Sequence, residues 1–450
     1  MRTTMKGTVT ALALGLLLGD PALAQPLTLE EAIREALARH PQVVAAREGL
    51  EAAAGRKDQA VARWIPSLAG TASYTRQTGN FAPRPGLSPS NFGASGSTVR
   101  YRSVNDSYDY FSVGLSLQQT IWDFGRTLGT HRQASAGIDA ARQDLQAARI
   151  SLWGAVVERF HGVLAAEEMR RVAQRGEEQA RRHLELAQAR VEAGTRPPID
   201  RVRAQAELEG ARAALVAAEN GVAVAREALA AVLGHPDWAD RPLVTPPSAV
   251  SSDLPEPEAL WQAARESRPE RAALESRIRA QKALVQSVQG NYWPILSWNA
   301  FFNDAGLQVR EMVWNWGIGA TLTVPLLAAP GTAGQVREAR AGLAALEAQR
   351  EAMDLQIRME VRQALSRARD ARKRLEFLEA QVALGREALA LAEGRYEAGA
   401  GTLVELLDAR TALENAEAQE VQGRFDQAVA EANLVRVSGR VPIGPTGGEE

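Results

Sequence analysis

Across 450 residues there is no cysteine, the formal net charge is −2 and 24% of residues are charged. Disulfides, thiolate metal sites, a cysteine nucleophile and a lipid carried on cysteine are therefore not expected. The balanced charge points to neither nucleic acid nor an anionic surface as partner, and the near-exclusive use of arginine as the base is read as compositional bias.

Arg2 and Lys6 make a basic start, residues 9–19 (VTALALGLLLG) are apolar or small, and Ala22-Leu23-Ala24 follows with small-x-small spacing. This is the layout of a secretory signal peptide over 1–24; the run is shorter than the roughly 18 apolar residues that span a bilayer. No later stretch reads as a membrane helix. An exported chain of this kind is periplasmic, extracellular or an outer-membrane barrel, whose hydropathy signal is weak.

The chain repeats itself. LTLEEAIREALARHPQVVAAR (27–47) is echoed by PEALWQAARESRPERAALESR (257–277), and RWIP (63–66) by NYWP (291–294). VGLSLQQTIWDFG (113–125) is echoed by IGATLTVPLLAAP (318–330), and ARVEAGTRPPIDRVRAQAELEGA (189–211) by GRYEAGAGTLVELLDARTALENA (394–416). The offset is about 230 early and about 205 late, because the first copy has the longer loop. That period is far above the 20–50 residues of solenoids, so each half is a substantial unit: 25–233 and 257–438, joined by a Pro-rich linker at 234–256 and followed by a tail at 439–450.

Each half reads helix, strand, strand, long helix, helix. Thr28 is placed to N-cap the first helix, with Glu31 completing a capping box; His40-Pro41 interrupts it and Pro66 stops it. Strands are predicted over about 66–77 and 110–122, then about 294–303 and 313–325. Phe111, Val113, Leu115 and Leu117 alternate with Ser112, Gly114, Ser116 and Gln118. Trp314, Trp316, Ile318, Ala320 and Leu322 alternate with Asn315, Gly317, Gly319 and Thr321. Alternation alone fits a half-buried sheet in a soluble sandwich. Trp64, Trp122, Trp293, Trp298, Trp314 and Trp316 in or beside these segments shift the reading to barrel strands with an interfacial aromatic girdle. The Gly-, Ser- and Pro-rich segment 78–107 reads as a long loop on the extracellular side, and nothing in it specifies a ligand.

Helices are predicted over 126–192 and 198–233, and over 332–397 and 402–438. Leu375, Val382, Leu389 and Tyr396 recur every seven residues, the spacing of helices packed side by side. A rod-like coiled coil explains the helices but not the strands. Four strands cannot close a barrel, and an open edge in lipid leaves backbone groups unpaired. Several chains must share one. Three give twelve strands; two give eight, whose interior side chains fill.

The duplicated order, the signal peptide and the turns Glu192-Ala193-Gly194-Thr195 and Glu397-Ala398-Gly399-Ala400 resemble the TolC family of outer-membrane efflux proteins over essentially the whole mature chain. The resemblance implies a mixed α and β membrane protein: a homotrimer whose twelve-stranded β-barrel, four strands per chain, continues as a long periplasmic α-helical barrel. It also implies a passive duct in a tripartite efflux or secretion system. A periplasmic adaptor (membrane fusion) protein would dock at the tip turns Gly194, Thr195, Gly399, Ala400 and Gly401, and an inner-membrane pump of RND or ABC type would supply energy. Asp200, Glu405 and Asp408 match acids that ring the periplasmic gate, and Tyr396 matches a tyrosine that helps hold it closed. The arginine of the second turn is missing, with Gly401 in its place, and Arg196 stands at the equivalent position of the first. Asp200, Glu405 and Asp408 also suit a helix start, where acids favour the macrodipole; Gly194 and Gly399 suit left-handed helix ends; Tyr396 continues the heptad stripe.

No phosphate loop, GxSxG or HExxH is present, and His40, His131, His161, His183 and His235 show no ligand spacing, Glu158 with His161 making only half a site. No enzyme activity, metal or cofactor is expected. The alternatives are a non-transporting trimeric surface stalk or a periplasmic scaffold, which would lack conductance or need no detergent.

Overall fold

The computed structural model describes residues 26–78, 107–238, 241–246, 254–326 and 329–441. The expected signal peptide, nearly all of the 78–107 loop, and parts of the linker and tail lie outside these residues. In chain order the elements are α1 (Leu29–Arg39), α2 (Pro41–Ala62), β1 (Ser67–Thr78), β2 (Ser107–Trp122), α3 (Arg126–Glu192) and α4 (Pro198–Leu233). The second half follows with α5 (Pro257–Ser267), α6 (Pro269–Gln289), β3 (Ile295–Gly306), β4 (Val313–Thr323), α7 (Ala329–Glu397) and α8 (Leu403–Ser438). No described helix is long and apolar enough to cross a membrane.

Two compact units divide the chain. The first, mainly helical, holds the described residues up to 49, 142–273 and 351 onward; the second, 50–141 and 274–350, contains the sheet. In the helical unit α1 packs on α4 and α5 packs on α8, one pair per repeat. α1 and α5 end at the same break: His40 and Arg268 are extended (ψ 131 and 122) because each precedes a proline, which disfavours the helical conformation. Leu260, Ile357, Val361, Leu365 and Leu434 form one core of this unit. The capping box is only half made. Glu31 N–H donates to Thr28 Oγ1 at 3.2 Å, but the Glu31 carboxylate turns away to the buried Arg241, 3.0 Å distant. A charged partner in an enclosed site outcompetes a backbone N–H that water can serve.

In the second unit β1-β2-β3-β4 form one antiparallel sheet in sequence order. The registers Leu68↔Leu117, Leu117↔Ala300, Leu115↔Phe302, Phe302↔Trp316 and Ala300↔Ile318 put the apolar alternates of all four strands on one face. Ser116↔Phe301, Gln118↔Asn299, Asn299↔Gly319 and Ser297↔Thr321 put mainly small and polar residues on the other. The apolar face is not covered: Trp316 is 64% and Ile318 72% exposed. Gly114 and Gly317 keep the polar face open to its neighbours. A Cβ on Gly114 would meet Asn303 Cβ at 2.9 Å, and one on Gly317 would meet the Phe301 ring at 2.6 Å.

The sheet hands over to α3 through a tight turn. Asp123 accepts from Thr127 N–H (2.8 Å) and Gly125 N–H (3.2 Å), capping the helix. Phe124 pays for this with a left-handed φ of 53°, and its ring stacks on Trp293 (5.3 Å) and meets Trp122 edge-on (5.9 Å). Trp64 packs on His131. Trp64, Trp122, Trp293 and Trp314 are, like Trp316, exposed on the isolated chain.

Candidate functional site at the paired helix turns

α3 and α7 end in the same way. Gly194 (φ 71°) donates to Val191 O at 3.0 Å and Thr195 N–H to Arg190 O at 3.0 Å. Gly399 (φ 76°) donates to Tyr396 O at 3.2 Å and Ala400 N–H to Arg395 O at 2.9 Å. These paired bonds define the glycine-terminated helix end, which recovers two carbonyls that the helix leaves unbonded. The restarts differ. α4 begins on Pro197 with Pro198 behind it, where the missing N–H costs nothing. α8 begins on Thr402, whose hydroxyl accepts from Glu405 N–H at 3.2 Å.

Two arginines of the first turn reach the second. Arg190 Nη1 donates to Tyr396 O at 2.8 Å and Nη2 to Glu397 O at 3.4 Å. Arg196 Nη2 donates to Gly401 O at 3.0 Å. Both guanidinium groups also lie over the Tyr396 ring, 4.7 and 5.0 Å from its centre. They place positive charge at the C-terminal end of α7, where free carbonyls make it favourable, and each ring contact adds about 0.5–1 kcal/mol. Tyr396 is 2% exposed, packed in one cluster with Val382, Leu389, Leu403, Leu406 and Leu413. Its hydroxyl is buried and makes no hydrogen bond, so cations and apolar neighbours hold the ring, and no acid does.

The three acids are not alike. Asp200 is buried in the first turn of α4, whereas Glu405 and Asp408 are exposed on α8. Glu405 lies 3.7 Å from Arg395 in an exposed pair. Arg190 was missed by motif reasoning, although the repeat aligns it with Arg395 four residues before each turn glycine. Just behind the turns, His183 of α3 is half-buried, and its pKa is pushed down to about 4, by burial first and then by Arg410 and Arg182. It lines a groove of about 380 Å³ with Gln179, Glu393, Tyr396 and Glu397.

Long helices, a four-stranded sheet with one apolar and one polar face, and a two-fold repeat define the class: the outer-membrane channels of TolC type. The family model of the outer membrane efflux protein matches residues 32–235 and 260–440, one stretch per half, and the chain belongs to this family. The pyoverdine export outer membrane protein OpmQ of Pseudomonas putida is 28% identical over 306 residues, covering 66% of this chain and 64% of that protein. The OpmQ of Pseudomonas aeruginosa is 26% identical over 318 residues, 68% of this chain and 65% of that protein. The chain thus spans just under two thirds of the length of these curated relatives. A solved structure of the outer-membrane channel OprN matches with a TM-score of 0.78 at 22% identity, over 92% of this chain and 90% of that one, a likeness of fold. The mixed fold, the outer-membrane location and the efflux class expected from the sequence are those of the family, whose members are channel proteins rather than enzymes.

Proposed function

We propose that this chain is one of three identical subunits of a passive duct, the outer-membrane channel of a tripartite efflux or secretion system. The observation that carries the reading is the sheet. Its uncovered apolar face suits lipid, its small polar face suits a watery lumen, and β1 and β4 each leave an edge. Edges in lipid are closed only by other strands, and three copies of four strands supply twelve, within the range of membrane barrels. Trp64, Trp122, Trp293, Trp314 and Trp316 are the girdle residues on this reading.

The paired turns are the periplasmic gate. Glu405 and Asp408, exposed on α8, line its constriction in the trimer, Asp200, buried here, joins them when the turns part, and Tyr396 with Arg196 and Arg190 holds the closed arrangement. Gly194, Thr195, Gly399, Ala400 and Gly401 meet a periplasmic adaptor, and an RND- or ABC-type inner-membrane pump drives transport. The named relatives export pyoverdine, which makes a small secreted compound the first cargo to try.

Purified protein in detergent, reconstituted into planar bilayers, tests this directly. Discrete conductance steps and trimers after cross-linking are the expected result, with Asp200→Asn and Asp408→Asn lowering cation selectivity. A detergent-free monomer sinks the duct; unchanged selectivity in both variants sinks the acidic ring.

A further inference from the structure

A second set of charges ties the first-half helices to the second, away from the turns. Arg410, two turns into α8, has a side chain only 3% exposed. Its Nε donates to Glu414 Oε1 at 2.8 Å, its Nη1 pairs with Glu207 of α4, and its Nη2 donates to the carbonyl of Gly176 on α3. One guanidinium thus ties α8 to two other helices, α3 and α4. Gly176 leaves the space: a Cβ there would stand 3.0 Å from Glu414 Oε1 and 3.8 Å from Arg410 Nη2. Glu207 is also committed to the knot. Its second oxygen is buried without a hydrogen bond, and burial pushes its carboxyl above the usual range against the pull of Arg410.

We infer that Arg410 is a positioning residue of the gate: its buried ionic knot fastens α8 to α3 and α4 and must part for the turns to separate. The inference rests on the duct reading above. Apolar helix faces slide past one another with little change in contact, whereas directional bonds from one planar group to two neighbouring helices hold only one register. Such a knot is also releasable, because charges that separate into water recover their hydration, while charges that lose one partner in place do not. The repeat isolates the device, since Gln205 stands in the first half where Arg410 stands in the second.

Single-channel recording of reconstituted Arg410→Gln is the test, with trimer content followed on native gels. The expected result is a several-fold rise in time spent in the open level with assembly intact. Arg410→Lys, which keeps the charge but not the three-way fork, is expected to fall between Arg410→Gln and wild type. Arg424→Gln, which removes an exposed arginine of the same helix together with its pairs to Glu420 and to Glu379 of α7, is expected to change nothing. Should Arg410→Gln fail to assemble, Glu207→Gln keeps the shape, removes one charge and takes the same measurement. An assembled Arg410→Gln or Glu207→Gln that gates like wild type overturns the fastening and leaves the duct standing. No current from wild type or any variant overturns the duct itself.

Discussion

The two turns share a backbone and divide the chemistry. Both helices end on a left-handed glycine with the same pair of returning bonds, yet in the bonds that join the turns the first supplies the donors and the second the acceptors. Arg190 and Arg196 reach outward to Tyr396, Glu397 and Gly401, while Arg395, the repeat partner of Arg190, stays on its own side with Glu405. Duplication thus preserved the local geometry and split the side-chain roles.

The largest break in this comparison is Tyr396→Ala, which removes the ring that both arginines cover and should cost about 3–5 kcal/mol, as loss of a buried aromatic does. Tyr396→Phe should be within about 1 kcal/mol of wild type, because no hydrogen bond is lost; thermal unfolding followed by circular dichroism reads both. If the phenylalanine variant is as unstable as the alanine one, the hydroxyl has a partner after all.

Arg190→Gln against Arg395→Gln measures the asymmetry. The first should lose about 1–2 kcal/mol from its carbonyl bonds and ring contact, the second no more than about 0.5 kcal/mol from an exposed pair. Equal losses would mean that the turns are energetically symmetric.

Acid sharpens the contrast further, since His183 has Ala388 at its place in the second half. Its folded pKa of about 4 lies below the ordinary 6.5, so the unfolded chain takes the proton first as pH falls. The stability tied to its neutral form is complete above about 6.5, is lost down to about 4 and is flat below. Discounted for partial exposure, the loss is about 1–2 kcal/mol. Glu393 and Glu397 line the same groove, and His183→Gln should flatten the slope. A variant whose melting temperature follows pH as wild type does would remove His183 as the cause.

Gly194→Ala and Gly399→Ala give the smallest contrast, because a Cβ meets nothing within 4 Å at either site. Each should cost about 1–2 kcal/mol from the left-handed backbone alone, and the two costs should agree; a clear difference would show that one turn is packed where the other is open.

Much of the fold was legible because it is written in local periods. Alternation at two residues, recurrence at seven and glycine where φ turns positive are properties of a few neighbours, and the fourfold echo displayed each of them twice. The alternation assigned one face of each strand to lipid and one to water before any partner strand was known. The acids of the turns were legible as residues without their surroundings: nothing local separates Asp200, which is buried, from Glu405, which is not.

What the sequence determined alone was therefore the backbone: where strands and helices run, where prolines break them, and where α3 and α7 must end. What only the tertiary structure decided was which charges meet. Arg190 with Tyr396, Arg410 with Glu207 and Gly176, and Glu31 with Arg241 join residues some two hundred positions apart. An arginine's reach is long and its partners are set by which helices lie side by side, so its role belongs to the packing and leaves no periodic mark along the chain.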